Sequence, residues 1–356
     1  MQNRFKYIEI KKSILRLVDE GKYASTPLPG RREMAESFHT TIATCTKAVQ
    51  ELITEGVLKT IPGKGTFQHP DYGKRLRTLN VWIPGMNHTF HIKIAEILTD
   101  LAQEYGYSQV TVTLNRTFPQ SELRILSNQL SDPNSDVLLY SLCDARSLPV
   151  ILRHHERVVL LRAGDVELNG NIDRAVIRRF AGEKLSVEHL IKNGHTRIVH
   201  ICTAAATPDF NSDGYRQALQ EHNIPFNRKL RFMLDRWDTS SREEQSMFID
   251  DCMQRFLRFK DRPTAVFCHS NELAIMFISA CLKAGLRIPE DLSVSAYEGK
   301  YASQLGIYQI TSAGPELEPI LRELLKRLAN RHRTEFTDLF FEMKLIEGNT
   351  VPNIAE

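Results

Sequence analysis

Lys64 stands between Gly63 and Gly65, and Arg31, Arg32, Thr40, Thr41, Thr44 and Lys47 lie upstream of it. Cationic side chains attract phosphate, threonine hydroxyls reach phosphates or base edges, and glycine lets a backbone approach closely. The chemistry this set offers is non-covalent recognition of a polyanion. Catalytic patterns are missing: the sequence holds no Gly-x-Ser-x-Gly, no His-Glu-x-x-His and no Gly-x-Gly-x-x-Gly. The Gly-Lys-Gly run is not a nucleotide-binding P-loop. Such a loop needs Gly where Leu58 stands and Ser or Thr where Gly65 follows the lysine. Six cysteines stand at 45, 143, 202, 252, 268 and 281 with no Cys-x-x-Cys pair, so neither a zinc knuckle nor a disulfide framework is expected. They read as buried, reduced thiols. No metal and no cofactor is expected.

The basic residues sit in a distinct segment. Residues 1–78 carry a net charge of +6 and the remainder −3, which together give the chain's +3. A small basic head on a mildly acidic body suits a polyanionic partner. Within the head, Tyr7, Ile10, Ile14, Leu17 and Val18 recur at helical spacing and Gly21 follows as a stop. Pro27 to Gly30 forbids helix. A short helix is expected over Arg31–Phe38, with a turn at His39-Thr40. A further helix starts near Thr41, whose hydroxyl can cap it, and runs to Gly56 with Cys45, Ala48, Val49, Leu52 and Ile53 inward. The run from Val57 to Phe67 reads as a strand, a glycine turn and a strand.

Helix, helix, turn, helix and hairpin make a winged helix-turn-helix, which lays the start of its second motif helix in the DNA major groove. The residues there are Thr41, Ile42, Ala43, Thr44 and Lys47; Ile42 and Ala43 can make only apolar contact, for example with a thymine methyl. Residues 4–67 resemble the GntR-type winged helix. The resemblance rests on Leu28-Pro29, Arg32-Glu33-Met34-Ala35, Lys47-Ala48-Val49, Leu52, Glu55-Gly56-Val57-Leu58 and Pro62 to Phe67. It implies Arg32, Thr41, Thr44 and the wing as contacts to double-stranded operator DNA. With the neighbouring cations and glycines, the candidate set is Arg31, Arg32, Thr40, Thr41, Thr44, Lys47, Gly63, Lys64 and Gly65. Two positions depart from the family: Ile42 stands where Arg is usual, and Thr46 where a basic residue is frequent. Ordinary family operator preferences therefore do not carry over.

Residues 70–78 read as a polar linker between a head at 1–69 and a body at 79–356. The body alternates short apolar runs with amphipathic helices, which indicates parallel α/β sheets, two in number. Strands are expected at Asn80–Ile83, Val110–Leu114, Val137–Tyr140, Val158–Leu161, Ile198–Cys202, Ala265–Cys268 and Leu292–Ala296. Ligands in open α/β sheets bind beyond the carboxyl ends of strands. That rule points to Pro84–Phe90, Ser141, Arg162, Thr203–Asn211, His269–Asn271 and Tyr297–Gly299, with Trp82, Phe90, Phe210, Tyr297 and Tyr308 as aromatic candidates for stacking on a ring.

Glu188 to Ile191, Gly194 to Ile198, Gly214 to Leu219, Pro263 to Cys268 and Gly285 to Val294 resemble the LacI-type effector domain, itself similar to periplasmic sugar-binding proteins. This resemblance implies a two-lobed, periplasmic-binding-protein-like domain, homodimerisation through the lobes and, with the head, an arabinose-repressor-like architecture. Four polar ligand positions differ from the family: Arg178 and Asn271 replace Asp, Asn211 replaces Arg, and Glu298 replaces Asp. The candidate effector residues are Phe90, Ser141, Arg178, Asn211, His269, Asn271, Tyr297 and Glu298. The expected function is ligand-responsive transcriptional regulation, most simply repression, by a pentose or deoxyhexose, with an anionic sugar next because of Arg178. One alternative is a vestigial cleft answering to a protein partner. The other is an α/β enzyme using His200, His269 and Glu298, with an appended head; an enzyme is not expected. Neither a transmembrane helix nor a signal-peptide core is present in the sequence pattern, which reads as cytoplasmic.

Overall fold

The computed structural model of the chain describes residues 2–70, 72, 77–84, 89–114, 120–140, 146–163, 172–203, 213–234, 241–301, 303–330 and 335–352. The head begins with α1 (Gln2–Asp19), α2 (Arg31–Ser37) and α3 (Ile42–Thr54), followed by the antiparallel pair β1 (Leu58–Ile61) and β2 (Gly65–Gln68). Ile10, Ile14 and Val18 recur every four residues of α1 and so share one face, which packs on Cys45, Ala48, Val49 and Leu52 of α3 and on Met34 of α2. Thr41 caps α3 as its spacing predicts, its hydroxyl accepting the Thr44 N–H at 3.2 Å. Such a cap is worth about 1 kcal/mol. The hairpin turn follows from Pro62-Gly63. Proline fixes the second turn position, Gly63 takes φ 73° at the third, and the Lys64 N–H closes on the Ile61 carbonyl at 3.0 Å.

The body starts at β3 (Arg77–Ile83), which takes in two residues of the expected linker. The reason is a buried ion pair. The Asp136 carboxylate accepts from the Arg77 guanidinium at 2.7 Å and the Tyr107 hydroxyl at 2.8 Å, while Arg77 lies over the Tyr107 ring. The first lobe continues with α4 (Thr89–Ala102), β4 (Tyr107–Leu114), α5 (Gln120–Ser131), β5 (Ser135–Tyr140), α6 (Leu148–Arg153), β6 (Val158–Ala163) and β7 (Asp173–Ile177). The second lobe comprises α7 (Arg179–Lys192), β8 (Ile198–Thr203), α8 (Gly214–Glu221), β9 (Arg231–Leu234), α9 (Arg242–Leu257), β10 (Ala265–Cys268), α10 (Asn271–Lys283) and β11 (Ser293–Tyr297). The small hairpin β12 (Gln304–Leu305) and β13 (Tyr308–Gln309) and then β14 (Thr311–Pro315) follow. The chain returns to the first lobe as α11 (Leu317–Ala329) and β15 (Asp338–Phe340), and ends in the second as β16 (Met343–Ile346).

Each lobe is built on one six-stranded sheet, ordered β15-β7-β6-β5-β3-β4 and β16-β14-β11-β10-β8-β9. Pairing is parallel throughout, except that β16 runs antiparallel to β14. The two-lobed parallel α/β architecture anticipated from the alternation is therefore present. Three crossings join the lobes: Arg178 between β7 and α7, Glu316 between β14 and α11, and residues 341–342 between β15 and β16. The leucine face of α11 buries Leu317, Leu321, Leu324 and Leu328 in the first-lobe core with Leu79, Val81, Ile94 and Leu98, so the second crossing is anchored at its far end by apolar burial. Of the strands that apolar runs did not announce, β7, β14, β15 and β16 border these crossings, while β9 and the β12–β13 hairpin lie within the second lobe.

Candidate functional site

The carboxyl end of the second-lobe sheet gathers a polar cluster. Glu183 on α7 is fully buried. Its carboxylate lies 3.1 Å from His269 Nδ1 at the end of β10, 3.3 Å from Arg179 Nε one helical turn back, and 3.3 Å from the Gly214 N–H at the start of α8. One carboxylate thus ties together two helices and a strand end. Beside it, Asp213 caps α8 by accepting the Arg216 N–H at 3.1 Å and holds Arg231 at 2.7 Å. Of these residues only His269 is among the predicted effector contacts. The Arg179–Glu183 pair is visible in the sequence as an i, i+4 pair of opposite charge; nothing in the sequence points Glu183 at His269.

His200 projects from β8 into the same side of the lobe, fully buried between the rings of Tyr215, 4.7 Å away, and Phe267, 5.1 Å away. Neither ring nitrogen has a hydrogen-bond partner. Burial holds its pKa well below the usual imidazole value, and the neighbouring Arg231, His269 and Arg179 push it the same way. His200 is therefore a neutral core side chain. Burial also raises the Tyr215 hydroxyl, and it lifts the Cys202 thiol to about 11. The five described cysteines, 45, 202, 252, 268 and 281, are buried and unbridged, while Cys143 lies outside the described residues. Among the described residues no group of His, Cys, Asp and Glu side chains is arranged to hold a metal ion.

The predicted effector residues fall into three groups. Ser141 and Asn211, together with the aromatic candidate Phe210, lie outside the described residues. Asn271, Tyr297 and Glu298 are buried and engaged within the second lobe. The Asn271 amide donates to the Gly299 and Tyr301 carbonyls at 2.9 and 2.6 Å, and the Glu298 carboxylate accepts the Asn271 N–H at 3.1 Å. Tyr297 belongs to β11 rather than the loop after it, one residue beyond the expected strand. Its ring packs on Gly182, where a Cβ would meet the ring at 2.6 Å, and stacks against His269 at 6.3 Å. Burial drives its hydroxyl pKa up, with the neighbouring Tyr140 of the first lobe adding to the rise.

The third group borders the crossings. Arg178 is exposed, its guanidinium carbon 4.2 Å from the centre of the Phe340 ring of β15, which links the first and third crossings. Phe90 is buried between Tyr140 of its own lobe and Tyr301 of the other, each 6.2 Å away. Trp82 is a fully buried core residue whose indole N–H donates to Gln129. Tyr308, on β13, is half-buried against the second-lobe core. Arg178, Phe90, His269 and Tyr297 therefore sit around the junction of the lobes, and Asn271 and Glu298 lie behind it.

In the head, Arg32, Lys47 and Lys64 are exposed and Arg31 is half-buried, 3.5 Å from the Thr66 hydroxyl. Gly63 and Gly65 flank Lys64 at the hairpin tip. Thr40 donates its N–H to the Ala35 carbonyl in the turn. Thr41 is exposed, but Thr44 is buried and its hydroxyl bonds Thr41 at 2.8 Å. Thr44 holds the first turn of α3 together and presents no hydroxyl at the surface.

Residues 187–351 match the periplasmic binding protein-like domain. The body is periplasmic-binding-protein-like. Over 98% of its length, and 98% of the relative's, the chain is 23% identical to the arabinose metabolism transcriptional repressor of Geobacillus stearothermophilus. It is 30% identical to the HTH-type transcriptional repressor PurR of Mannheimia succiniciproducens over 56% of its own length, spanning 58% of that repressor. Among solved structures, a LacI family transcriptional regulator from Lactobacillus casei with bound glucose superposes with a TM-score of 0.62 at 18% identity, covering 77% of this chain and 99% of that one. The two curated relatives are transcriptional repressors, and the structural likeness carries the fold of the body.

Proposed function

We propose that the chain is a ligand-controlled transcription regulator, most simply a repressor. In this reading residues 1–69 form a GntR-type winged helix-turn-helix that binds operator DNA, residues 70–76 of the expected 70–78 linker join it to the body, and the body from β3 onward senses a small sugar-like effector and forms a homodimer. The observation that carries the proposal is the union, in one chain, of a basic three-helix head with a hairpin and a two-lobed body with three crossings. The repressor matched over 98% of both lengths supports treating the two parts as one device. The mechanism is coupling. An effector that binds one arrangement of the lobes better than another shifts their equilibrium, changes the spacing of two heads and alters their fit to a two-fold operator. Exposed Val112 and Leu114 on the edge strand β4 support an assembly through the body.

A pentose or deoxyhexose is the favoured effector, and the aromatic side chains around the lobe junction support a sugar ring. Arg178, exposed beside the first crossing, supports an anionic sugar next. A second reading has its own support: Asn271 and Glu298 are engaged with their own lobe, which favours a cleft that no longer binds a sugar and a body that answers to a protein partner. Thermal unfolding of the full chain against pentoses, deoxyhexoses, hexuronates and sugar phosphates separates the two. A ligand at 100 times its dissociation constant adds about 2.7 kcal/mol, a rise of several degrees for a body of this size. A flat panel at millimolar ligand favours the second reading.

A further inference from the structure

The first turn of α3 belongs to a basic head yet presents almost no polar group of its own. Its exposed residues are Ile42, Ala43, Thr46 and Lys47, with Gln50 further along. Ile42 is 47% exposed, a large apolar side chain left at the surface of a head that also carries Arg31, Arg32 and Lys64. The hydroxyls nearby are committed within the helix. Thr44 bonds Thr41, and Thr46, exposed on the helix, donates its hydroxyl to the Ile42 carbonyl at 2.8 Å. The Lys47 ammonium lies 4.3 Å over the Tyr7 ring of α1. Gln50 stands eight residues beyond Ile42, roughly 12 Å along the helix axis, past the turn that enters a groove deepest.

An exposed apolar tip on a basic head fits the major groove of duplex DNA, where thymines present their 5-methyl groups. We infer that Ile42, with the exposed Ala43 and Thr46 beside it on the helix, selects operator sequence by contact with thymine methyls, while the cations of the head hold phosphate. This rests on the operator-binding reading above and names what that surface reads. Sequence discrimination then comes from shape and apolar burial, not from hydrogen bonds donated by the first turn of α3.

The test starts with the full-length protein selecting duplexes from a random pool. Each thymine in the recovered half-site is then replaced by deoxyuridine, which removes the methyl and keeps every base-edge hydrogen-bonding group. The expected result is about a fourfold loss of affinity at one or two positions per half-site, the equivalent of ~0.8 kcal/mol for one buried methyl. Ile42→Ala, an exposed change checked for folding by its unchanged melting temperature, should bind the thymine and uracil duplexes with the same affinity. Recovery of a selective duplex on which uracil substitution changes nothing overturns the inference and leaves DNA binding standing. Uracil sensitivity that persists in Ile42→Ala removes Ile42 from the contact and overturns it as well. Failure to recover any selective duplex overturns operator binding itself and this inference with it.

Discussion

Replacing Glu183 by alanine should destabilise the second lobe far more than an ordinary substitution. The carboxylate is fully buried, accepts the Gly214 N–H at 3.3 Å and lies at ion-pair distance from Arg179 Nε, 3.3 Å, and His269 Nδ1, 3.1 Å. Removing it leaves the Arg179 cation and the His269 ring beside an apolar methyl, and leaves the first N–H of α8 without its acceptor. Breaking a buried pair by deleting one partner costs about 3–5 kcal/mol. Arg179 and His269 keep some exposure, so their loss is partly screened and the lower end, about 3 kcal/mol, applies. For a unit of 150–250 residues each kcal/mol moves the melting temperature by roughly 2–4 °C, which gives a drop of about 6–12 °C. Glu183→Gln keeps an oxygen for Gly214 and the side-chain volume but not the charge, and should fall roughly midway. The assay is a circular-dichroism melt of the full chain at neutral pH with both variants side by side. An alanine variant melting within 1 °C of the parent would refute the claim that this carboxylate joins α7, α8 and β10. A glutamine variant as stable as the parent would refute the electrostatic part alone.

Three further outcomes follow from named contacts. His200 is held neutral in the folded chain, so below about pH 6.5 the unfolded state takes up a proton that the folded state refuses. Stability is then lost as pH falls, by up to ~1.4 kcal/mol per pH unit until the depressed folded pKa is reached. His200→Phe, stacked between the same two rings, should flatten this acid limb; urea titrations at pH 7.5 and 5.5 that show the same loss in both proteins would sink the assignment. Gly182→Ala puts a Cβ 2.6 Å from the Tyr297 ring and should cost about 1–3 kcal/mol by overpacking, with Tyr297→Leu in the same chain restoring most of it. Arg32→Ala should weaken operator binding and reduce the slope of log affinity against log salt by about one; an unchanged slope places Arg32 away from phosphate.

The head is legible in the sequence because its determinants are local. The four-residue recurrence in α1, the Thr41 cap and the Pro62-Gly63 turn each specify their element within one turn of chain, and all three stand in the structure. The body is legible where a strand is a continuous apolar run, as in Val158–Leu161 or Ala265–Cys268. Thr311–Pro315 has no such run. Its sequence, Thr-Ser-Ala-Gly-Pro, becomes a buried strand only because β11 and β16 flank it and the Ser186 hydroxyl accepts the Ala313 N–H. Its pairing partners lie far along the chain, and no local pattern encodes them. Tyr297 shows the same dependence at one residue's resolution. The apolar run predicts that β11 ends at Ala296, but the close approach of Gly182 seats the tyrosine ring inside the lobe and extends the strand.

The residues proposed for function follow a different logic, because a side chain can serve a ligand only with what its own fold leaves over. Residue type alone marks Thr44, Asn271 and Glu298 as groups able to hydrogen-bond a partner. In the folded chain each meets an internal demand first: Thr44 in the opening turn of α3, the Asn271 NH2 group on the carbonyls of Gly299 and Tyr301, and Glu298 at the N-terminus of α10. Internal donors and acceptors win because a buried polar group left without a partner costs ~1–3 kcal/mol. The same competition works in reverse at Ile42 and Arg178. No internal partner takes up the whole of either side chain; one is left as an exposed apolar tip and the other as a guanidinium over Phe340. Surplus capacity, not chemical type, is therefore what singles out a recognition residue in this chain. That criterion moves the weight of the operator surface from the threonines to Ile42, and leaves for the effector site the side chains bordering the crossings and the Asn271 Oδ1, which has no partner among the described residues.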